Sequence, residues 1–332
     1  MEEAIIIGAG PCGISAAVEL KKRGIKPLII EKGCIANSIY HYPLSMTFFS
    51  SPENIEIGEV PFMTINDKPT RHEALKYYRK VVELYNIQVH MYERVTNMEK
   101  VNTGFLLYTE TREGQKVYQA KNVIIATGYY DQPNLLNIPG ENFPHVFHYF
   151  RDGHPYTGHD VVVIGGRNSA IDAALELYQS GANVTMVYRK NAFHASVKAW
   201  VKPVIESAIE NERIHMVWET EVVEIKPRSI IVDSKGVRSE IRADFVFAMT
   251  GYRPNLTILE KMGARVDEKT HVPICSETME TSIPGLYLAG VVATGHDATK
   301  IFIENGRYHG EKIASDILAK VKREIGCKIK DI

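Results

Sequence analysis

Two glycine-rich turns have the spacing of dinucleotide-binding fingerprints. The first runs Ile5-Ile6-Ile7-Gly8-Ala9-Gly10-Pro11-Cys12-Gly13, the second Val161-Val162-Val163-Ile164-Gly165-Gly166-Arg167-Asn168-Ser169-Ala170. Each follows a β-branched run and opens an alanine-rich, helix-like stretch, the context in which such a turn seats a pyrophosphate on a helix N-terminus. In the first, Gly8 permits the tight turn, Gly10 lets the backbone approach the pyrophosphate and Gly13 lets helix and strand pack closely. The helix terminus adds free N–H groups and partial positive charge, and Pro11 suits the first helical position. Glu31 closes the next apolar run, where a carboxylate accepts hydrogen bonds from ribose hydroxyls. An acid there suits an adenosine ribose without a 2′-phosphate, so FAD or NAD is expected.

At the second turn the corresponding strand end reads Tyr188-Arg189-Lys190. The acid is missing and two cations follow, which favours a 2′-phosphate and hence NADPH. Arg167 stands where the middle glycine usually lies. Its side chain either crowds the pyrophosphate or swings out to pair with a phosphate, and the second is expected. Gly165, Gly166, Asn168, Ser169 and Ala170 complete that turn, with Thr250 and Gly251 at a later strand end. Two such sites imply two dinucleotides and hydride transfer from nicotinamide to flavin, then two electrons onward.

These turns require parallel-sheet scaffolds. Residues 5–7 predict a buried strand, 11–23 a helix packing Ala16, Ala17 and Leu20 inward, and 26–31 a second parallel strand. Residues 37–65, polar and aromatic with Pro43, Pro52 and Pro61, read as a long loop over a ligand. An amphipathic helix is expected over 71–85 and a strand over 88–92. Residues 116–127 run as a strand into Ala126-Thr127-Gly128. The pattern then restarts: strand 161–164, helix 169–179, strand 184–188, and 193–210 mostly helical with an interruption near Pro203. Residues 245–251 mirror the earlier strand and Thr-Gly turn, 285–290 return, and a closing helix starts at about Lys300. The expected fold class is α/β, with two Rossmann-like dinucleotide-binding domains, one inserted in the other. Residues 1–129 and 252–332 would form a discontinuous FAD-binding domain and 130–251 an NADPH-binding domain.

The chain of 332 residues is 45% hydrophobic and 24% charged, ordinary for a soluble globular protein. A net charge of −1 gives no pull toward nucleic acid or an anionic membrane. Met1-Glu2-Glu3-Ala4 lacks the basic start of a signal peptide, and no apolar stretch is long enough to span a bilayer, so a cytoplasmic protein is expected. Cys12, Cys34, Cys275 and Cys327 form no Cys-x-x-Cys, and a reducing compartment disfavours structural disulfides. His145, His148, His154 and His159 sit among Gly153, Pro155 and Gly158, which reads as an interdomain loop; no carboxylate or cysteine completes a recognisable metal site, and no metal is expected.

The order of motifs, ending in Ile283-Pro284-Gly285-Leu286-Tyr287-Leu288-Ala289-Gly290, resembles the two-dinucleotide flavoproteins of the thioredoxin-reductase type over essentially the whole chain. Three departures narrow it. Thioredoxin reductases carry Cys-x-x-Cys before the second fingerprint, where this chain has His148-Tyr149-Phe150-Arg151-Asp152-Gly153-His154. Glutathione-reductase-like enzymes carry a cysteine pair after the first βαβ unit; here Cys34 stands alone. The Gly-Asp that holds the ribityl chain is Gly290-Val291, so that contact must come from elsewhere. Gly8 to Gly13, Asn37-Ser38-Ile39-Tyr40, Met46 to Ser50, Glu56-Ile57-Gly58, Val60-Pro61-Phe62 and Lys300 to Gly306 together resemble the YpdA-type bacillithiol disulfide reductases.

That resemblance implies an FAD enzyme that uses NADPH to reduce the disulfide of bacillithiol, a low-molecular-weight thiol, and a homo-oligomer. It makes Cys12, in the Gly-Pro-Cys-Gly motif, the candidate redox thiol. It sets Asn37, Ser38, Thr47 and Phe49 beside the flavin, and Lys300, Ile301 and Phe302 against its ring. Lys32, Val95, Ala126, Thr127, Gly128 and Gly290 complete the expected FAD contacts, and Tyr129 and Tyr130 could gate the interdomain cleft.

Two forces compete at Cys12. The helix dipole favours thiolate, while a pyrophosphate at the same terminus opposes it. No second cysteine lies nearby in the chain to resolve a mixed disulfide, so a distant thiol or the flavin must do so. The plain alternative is a small residue packing the turn, and Cys34, Cys275 and Cys327 read as ordinary free thiols. Three alternatives stand beside this reading: a single-component flavin monooxygenase, which shares two fingerprints; an NADPH:ferredoxin-type reductase, which also lacks Cys-x-x-Cys; and, as a non-enzyme, a flavin-bound redox sensor with Cys12 as its switch.

Overall fold

The computed structural model describes residues 1–295 and 300–330, with side chains of the last helix described as far as residue 323. The chain divides into two compact units, Met1–Gln132 with Tyr252–Ile332, and Pro133–Gly251.

In the first unit β1 (Glu2–Ile7) lies between β2 (Pro27–Ile30) and β6 (Gly114–Ile125), parallel to both. β3 (Gln88–His90) extends the sheet beyond β2, and β15 (Leu286–Leu288) pairs in parallel with the end of β6. Helices cross between the parallel strands: α1 (Pro11–Lys22) after β1, and α4 (Arg71–Leu84) before β3. Successive side chains of β1 point to opposite faces. Ala4 and Ile6 join a core with Ala16, Ala17 and Leu20 of α1 and Tyr78 of α4, while Ile5 and Ile7 join another with Leu28, Phe105 and Leu288. All four residues of β2 are buried, as a parallel strand covered on both faces requires. The last helices, α8 (Ile303–Gly306) and α9 (His309–Lys330), follow β15, and α9 delivers Ile313, Ala314 and Ile317 to the α1 side of the sheet.

The second unit repeats the plan. β8 (Asp160–Ile164) runs parallel to β9 (Asn183–Tyr188) and β14 (Phe245–Ala248), flanked by β10 (His215–Trp218) and β7 (Val146–Phe147). Val161 and Val163 pack on α5 (Asn168–Gln179) residues Ala170, Ala174 and Leu177, and Val162 and Ile164 face a second core. β11 (Glu221–Lys226), β12 (Ser229–Ser234) and β13 (Val237–Arg242) form a separate antiparallel sheet.

Several expectations need correction. Residues 37–65 are not all loop: they contain α2 (Asn37–Tyr40) and α3 (Pro52–Ile55), single turns with Pro52 opening the second. Residues 193–201 are turns rather than helix, and Pro203 lies in the first turn of α6 (Lys202–Glu210) instead of interrupting it, because proline's missing N–H costs nothing there. The closing helix starts at Ile303, not Lys300, and is split into α8 and α9. The histidine-rich stretch is no interdomain loop. It lies within the second unit, where β7 forms the sheet edge and His145 Nε2 lies 3.2 Å from the Lys226 carbonyl. Two antiparallel systems went unread: β4 (Arg94–Val101) and β5 (Gly104–Thr111), which pair through to β6, and β11–β13.

Candidate active site

The first fingerprint occupies the turn between β1 and α1, beside the C-terminal end of β6. Gly8 has φ 111°, and a Cβ there would lie 2.6 Å from the Ala126 carbonyl oxygen. A Cβ on Gly13 would lie 2.1 Å from the Gly8 oxygen and 3.2 Å from Ala126 Cβ, so both glycines are fixed by the protein's own packing. Gly10 is different: nothing lies within 4 Å of a Cβ built on it, and the open space above it is a cradle at the start of a 12-residue helix. The buried Thr127 Oγ1 at the end of β6 has no protein hydrogen-bond partner, an orphan that points to a bound polar group. Pro11 opens α1, and Gly128, with φ 71°, continues the turn after Thr127.

Glu31 directly follows β2 and is 6% exposed. Its carboxylate accepts hydrogen bonds from Ala9 N and Gly33 N, both at 2.8 Å, which ties the second strand to the fingerprint and leaves each oxygen a free lone pair. Burial raises this carboxyl above its ordinary value even though those N–H groups pull it down. Beyond it opens a cavity of about 540 Å³ lined by Lys32, Gly33, Asn37, Tyr92, Arg94 and Asp131 among others. Lys32 pairs with Asp131 at 2.6 Å. Asn37 Oδ1 accepts from Cys34 N at 3.4 Å. These residues and the fingerprint fit a dinucleotide: the open cradle at Gly10 would receive a pyrophosphate, and Glu31 with the cavity lining would hold an adenosine. Val95 is not in the lining; it packs into the core while its neighbour Arg94 reaches the cavity. Arg94, Tyr92 and Asp131 were missed by sequence reasoning, because they come from a strand and a loop that carry no motif.

The remaining expected contacts fall in two groups. Ser38 lies on α2, Thr47 bridges to Thr70, and Phe49 is half-buried in the following segment. Lys300 and Phe302 are exposed, and Ile301 packs toward Gly306. Tyr130 is buried with its hydroxyl on the His41 carbonyl at 3.2 Å, and its ring meets Tyr42 edge-on at 4.9 Å; Tyr129 is half-buried.

Cys12 is held between two glycines from the far end of the chain. A Cβ on Gly290 or on Gly306 would come within 2.9 Å of its Sγ. Burial pushes the thiol up to about 12, and the Glu304 carboxylate adds to that. Desolvation is thus a third influence on this thiol, beside the helix dipole and the pyrophosphate weighed from sequence. Glu304 is itself hydrogen-bonded by the Ser50 hydroxyl. Burial also raises Cys34, and takes Cys275 to about 11. The side chain of Cys327 lies outside the described residues.

His309, on the first turn of α9, was not anticipated. Only 8% exposed, it accepts at Nδ1 the N–H of Gly290 at 3.1 Å, which fixes the backbone facing Cys12. Burial, with Lys312 adding, pushes the imidazole down from 6.5 to about 4. The folded protein keeps it neutral, whereas an unfolded chain protonates it below pH 6.5. Its contribution is therefore complete above pH 6.5 and lost as pH falls toward 4. The loss is on the order of 3 kcal/mol. Calorimetric melting should show a steeper fall across this window for the wild type than for His309→Asn, whose amide oxygen can still accept the Gly290 N–H. Equal slopes would exclude His309 as the cause.

In the second unit, Gly165 has φ 145° and a Cβ there would lie 2.6 Å from the Met249 oxygen. The Tyr188 ring lies across Gly166, 2.4 Å from where a Cβ would be. Arg167 is the extended residue before α5; its exposed side chain swings out until Nη2 lies 3.3 Å from His194 Nε2. Asn168 clamps the 194–198 segment, donating from Nδ2 to the Ser196 carbonyl at 3.0 Å and accepting Lys198 N at 3.0 Å. Ser169 is exposed on the first turn and Ala170 is buried. Arg189 and Lys190 are exposed at the end of β9. Thr250 donates its hydroxyl to the Asn134 carbonyl at 2.5 Å, and Gly251 takes φ 90°.

Residues 5–290 match the family described as pyridine nucleotide-disulphide oxidoreductase. The chain is 50% identical to the bacilliredoxin reductase Bdr of Bacillus subtilis (strain 168) over 97% of its own length and 98% of that protein's. The chain belongs to the Bdr branch of the pyridine nucleotide-disulphide oxidoreductases. Among solved structures of this branch, the bacillithiol disulfide reductase Bdr (YpdA) from Bacillus cereus superposes with a TM-score of 0.94 at 49% identity, covering 96% of this chain and 99% of that one. The Staphylococcus aureus Bdr (YpdA) gives 0.92 at 46% identity, covering 96% and 98%. The Bdr likeness thus spans both fingerprints, Cys12 and the segments that enclose it.

Proposed function

We propose that the chain is an FAD-dependent, NADPH-consuming reductase of a low-molecular-weight disulfide, that this disulfide is bacillithiol disulfide, and that Cys12 is its redox thiol. The likeness to Bdr proteins along nearly the whole chain carries this reading. The open cradle at Gly10 and the orphan Thr127 hydroxyl support FAD in the first unit. Arg189 and Lys190 support NADPH in the second. FAD, when bound, supplies two-electron chemistry between a nicotinamide and a disulfide.

The residues around it bind, orient and hold a proton. The N-terminus of α1 neutralises the pyrophosphate, and the free lone pairs of Glu31 orient the ribose. Arg189 and Lys190 select the 2′-phosphate. Cys12 keeps its proton on Sγ at neutral pH and becomes nucleophilic once that proton leaves. A Cys12–bacillithiol disulfide then forms as the substrate S–S bond breaks, and the first bacillithiol departs with one proton. Two electrons and one proton from NADPH, with one further proton, restore the Cys12 thiol and release the second bacillithiol. We assign the enzyme to the cytoplasm and to a homo-oligomer on the same resemblance; among the described residues no helix is long and apolar enough to cross a membrane.

The test is anaerobic NADPH oxidation by the flavin-loaded protein, with and without bacillithiol disulfide. The wild type should release bacillithiol at a rate that Cys12→Ala loses, while NADPH still bleaches the flavin of the variant. A wild type without disulfide-stimulated turnover overturns the substrate; a variant with undiminished turnover removes Cys12 from the reaction.

A further inference from the structure

Resting on the reading of the chain as a disulfide reductase with Cys12 as its redox thiol, we propose that Glu304 is the subsite for an ammonium group of the substrate. The enzyme then selects disulfides that carry a free amine two carbons from the sulfur, as unacylated cysteine-derived thiols do. Two elements place the carboxylate. α8 carries it, and that turn ends in Gly306, where a Cβ would come within 2.9 Å of Cys12 Sγ. Asn305 closes the turn: its Oδ1 accepts Phe302 N and its Nδ2 donates to the Lys300 carbonyl, both at 2.8 Å. From the other side the Ser50 hydroxyl donates to Glu304 Oε1. The segment before Ser50 is steadied in turn by Phe48, whose N–H meets the Pro69 carbonyl at 2.8 Å.

No cation pairs with this half-buried carboxylate among the described residues. Arg307, three residues on, is committed elsewhere. Its Nη1 donates to the Glu53 and Glu56 carbonyls and its Nη2 to the Tyr308 hydroxyl, with the guanidinium 4.8 Å from that ring's centre. Glu304 Oε2 accepts no hydrogen bond from the described residues. A carboxylate oriented through one oxygen, open at the other and lacking a counter-charge is arranged for a ligand that brings the cation. Because Glu304 also bears on the charge of Cys12, one cysteine-sized fragment can engage both, its ammonium at the carboxylate and its sulfur at the thiol.

The same pairing readies the thiol. While its charge is unbalanced, Glu304 helps to keep the proton on Cys12. A bound ammonium balances that charge and removes this part of the opposition to thiolate. The thiol proton still ends on the departing bacillithiol, so the net step is unchanged. A disulfide whose amine is acylated binds without the ion pair and meets a thiol that keeps its proton.

The test compares bacillithiol disulfide with the same disulfide after acetylation of its amines, in anaerobic turnover by the flavin-loaded wild type and Glu304→Gln. The glutamine can still accept the Ser50 hydroxyl, and flavin content with thermal melting reports folding. Acetylation should lower kcat/KM of the wild type by about ten- to hundredfold, the worth of one charge-assisted hydrogen bond. Glu304→Gln should lose a similar factor on the free amine and discriminate little between the two. Iodoacetamide at a fixed pH should modify Cys12 faster in the variant than in the wild type. Equal wild-type rates on the two disulfides overturn the subsite, whatever the variant does. A folded variant that still discriminates moves the ammonium away from Glu304, and unchanged alkylation removes the coupling to Cys12. A wild type inactive on both disulfides overturns the reductase reading itself, and the subsite with it.

Discussion

Gly13→Ala is expected to leave the protein colourless or insoluble, while Gly10→Ala is expected to fold and yet lose most of its flavin. The two positions lie three residues apart in one turn and fail for different reasons. At Gly13 a Cβ would lie 2.1 Å from the Gly8 oxygen and press on Ala126, with backbone on one side and the end of β6 on the other. Helix α1 would have to lift off the sheet, at a cost of about 3 kcal/mol or more, and the pyrophosphate seat would go with it. At Gly10 the added methyl meets no protein atom, and the backbone, with φ −78°, is one that alanine adopts freely. The methyl would instead occupy the space a pyrophosphate needs. Loss of one charge-assisted N–H contact costs about 2 kcal/mol, some thirtyfold in FAD affinity. Flavin absorbance per polypeptide and thermal melting separate the cases: Gly10→Ala should melt within a few degrees of the flavin-free wild type, and Gly13→Ala far below it. A yellow, stable Gly13→Ala protein would show that the packing around this turn has been misjudged.

The contrast explains what was legible in the sequence. Gly8, Gly13 and Gly165 announce themselves through the spacing of the fingerprint, although the backbone that constrains Gly8 and Gly165 most closely, Ala126 and Met249, lies far along the chain. Buried parallel strands such as Pro27–Ile30 and Asp160–Ile164 were legible because both faces are covered and the apolar run is unbroken. The antiparallel strands were not. Val237–Arg242 reads Val-Arg-Ser-Glu-Ile-Arg and is exposed over five of its six positions, so neither period nor composition marks it. Arg94–Val101 alternates only weakly and has a register shift between Val95 and Asn97. Pro203 looked like a breaker because a proline in a first turn and one in a helix interior differ only by where the helix begins. The surroundings of Cys12 were beyond reach for another reason: Gly290 and Gly306 arrive from the other end of the chain, and no local pattern says that they enclose a thiol.

The enclosure of Cys12 has an alkaline signature. The unfolded thiol ionises near pH 9.0 and the folded one only near 12, so between these values the unfolded chain sheds a proton that the folded protein keeps. Stability from this group is intact below pH 9 and drains away as pH rises toward 12, by about 4 kcal/mol at most. Cys12→Ala cannot lose what it lacks. Its melting temperature should fall less steeply than that of the wild type across the same window, from a slightly lower start because the thiol's packing against Gly290 and Gly306 is gone. Alkylation offers a second view. Iodoacetamide should modify Cys12 in the flavin-loaded protein far more slowly at neutral pH than an unfolded control, with a rate still climbing beyond pH 9. Fast modification at neutral pH would mean that the thiol is open and ionised in solution. Slow modification together with Cys12-dependent disulfide turnover would mean something more specific. The proton would then be removed within the substrate complex, with the Glu304 carboxylate, which bears on the thiol and is held by Ser50, the candidate base. A thiol kept protonated until a disulfide arrived would be spared the other oxidants of a cell, with burial and the Glu304 carboxylate as what holds its proton.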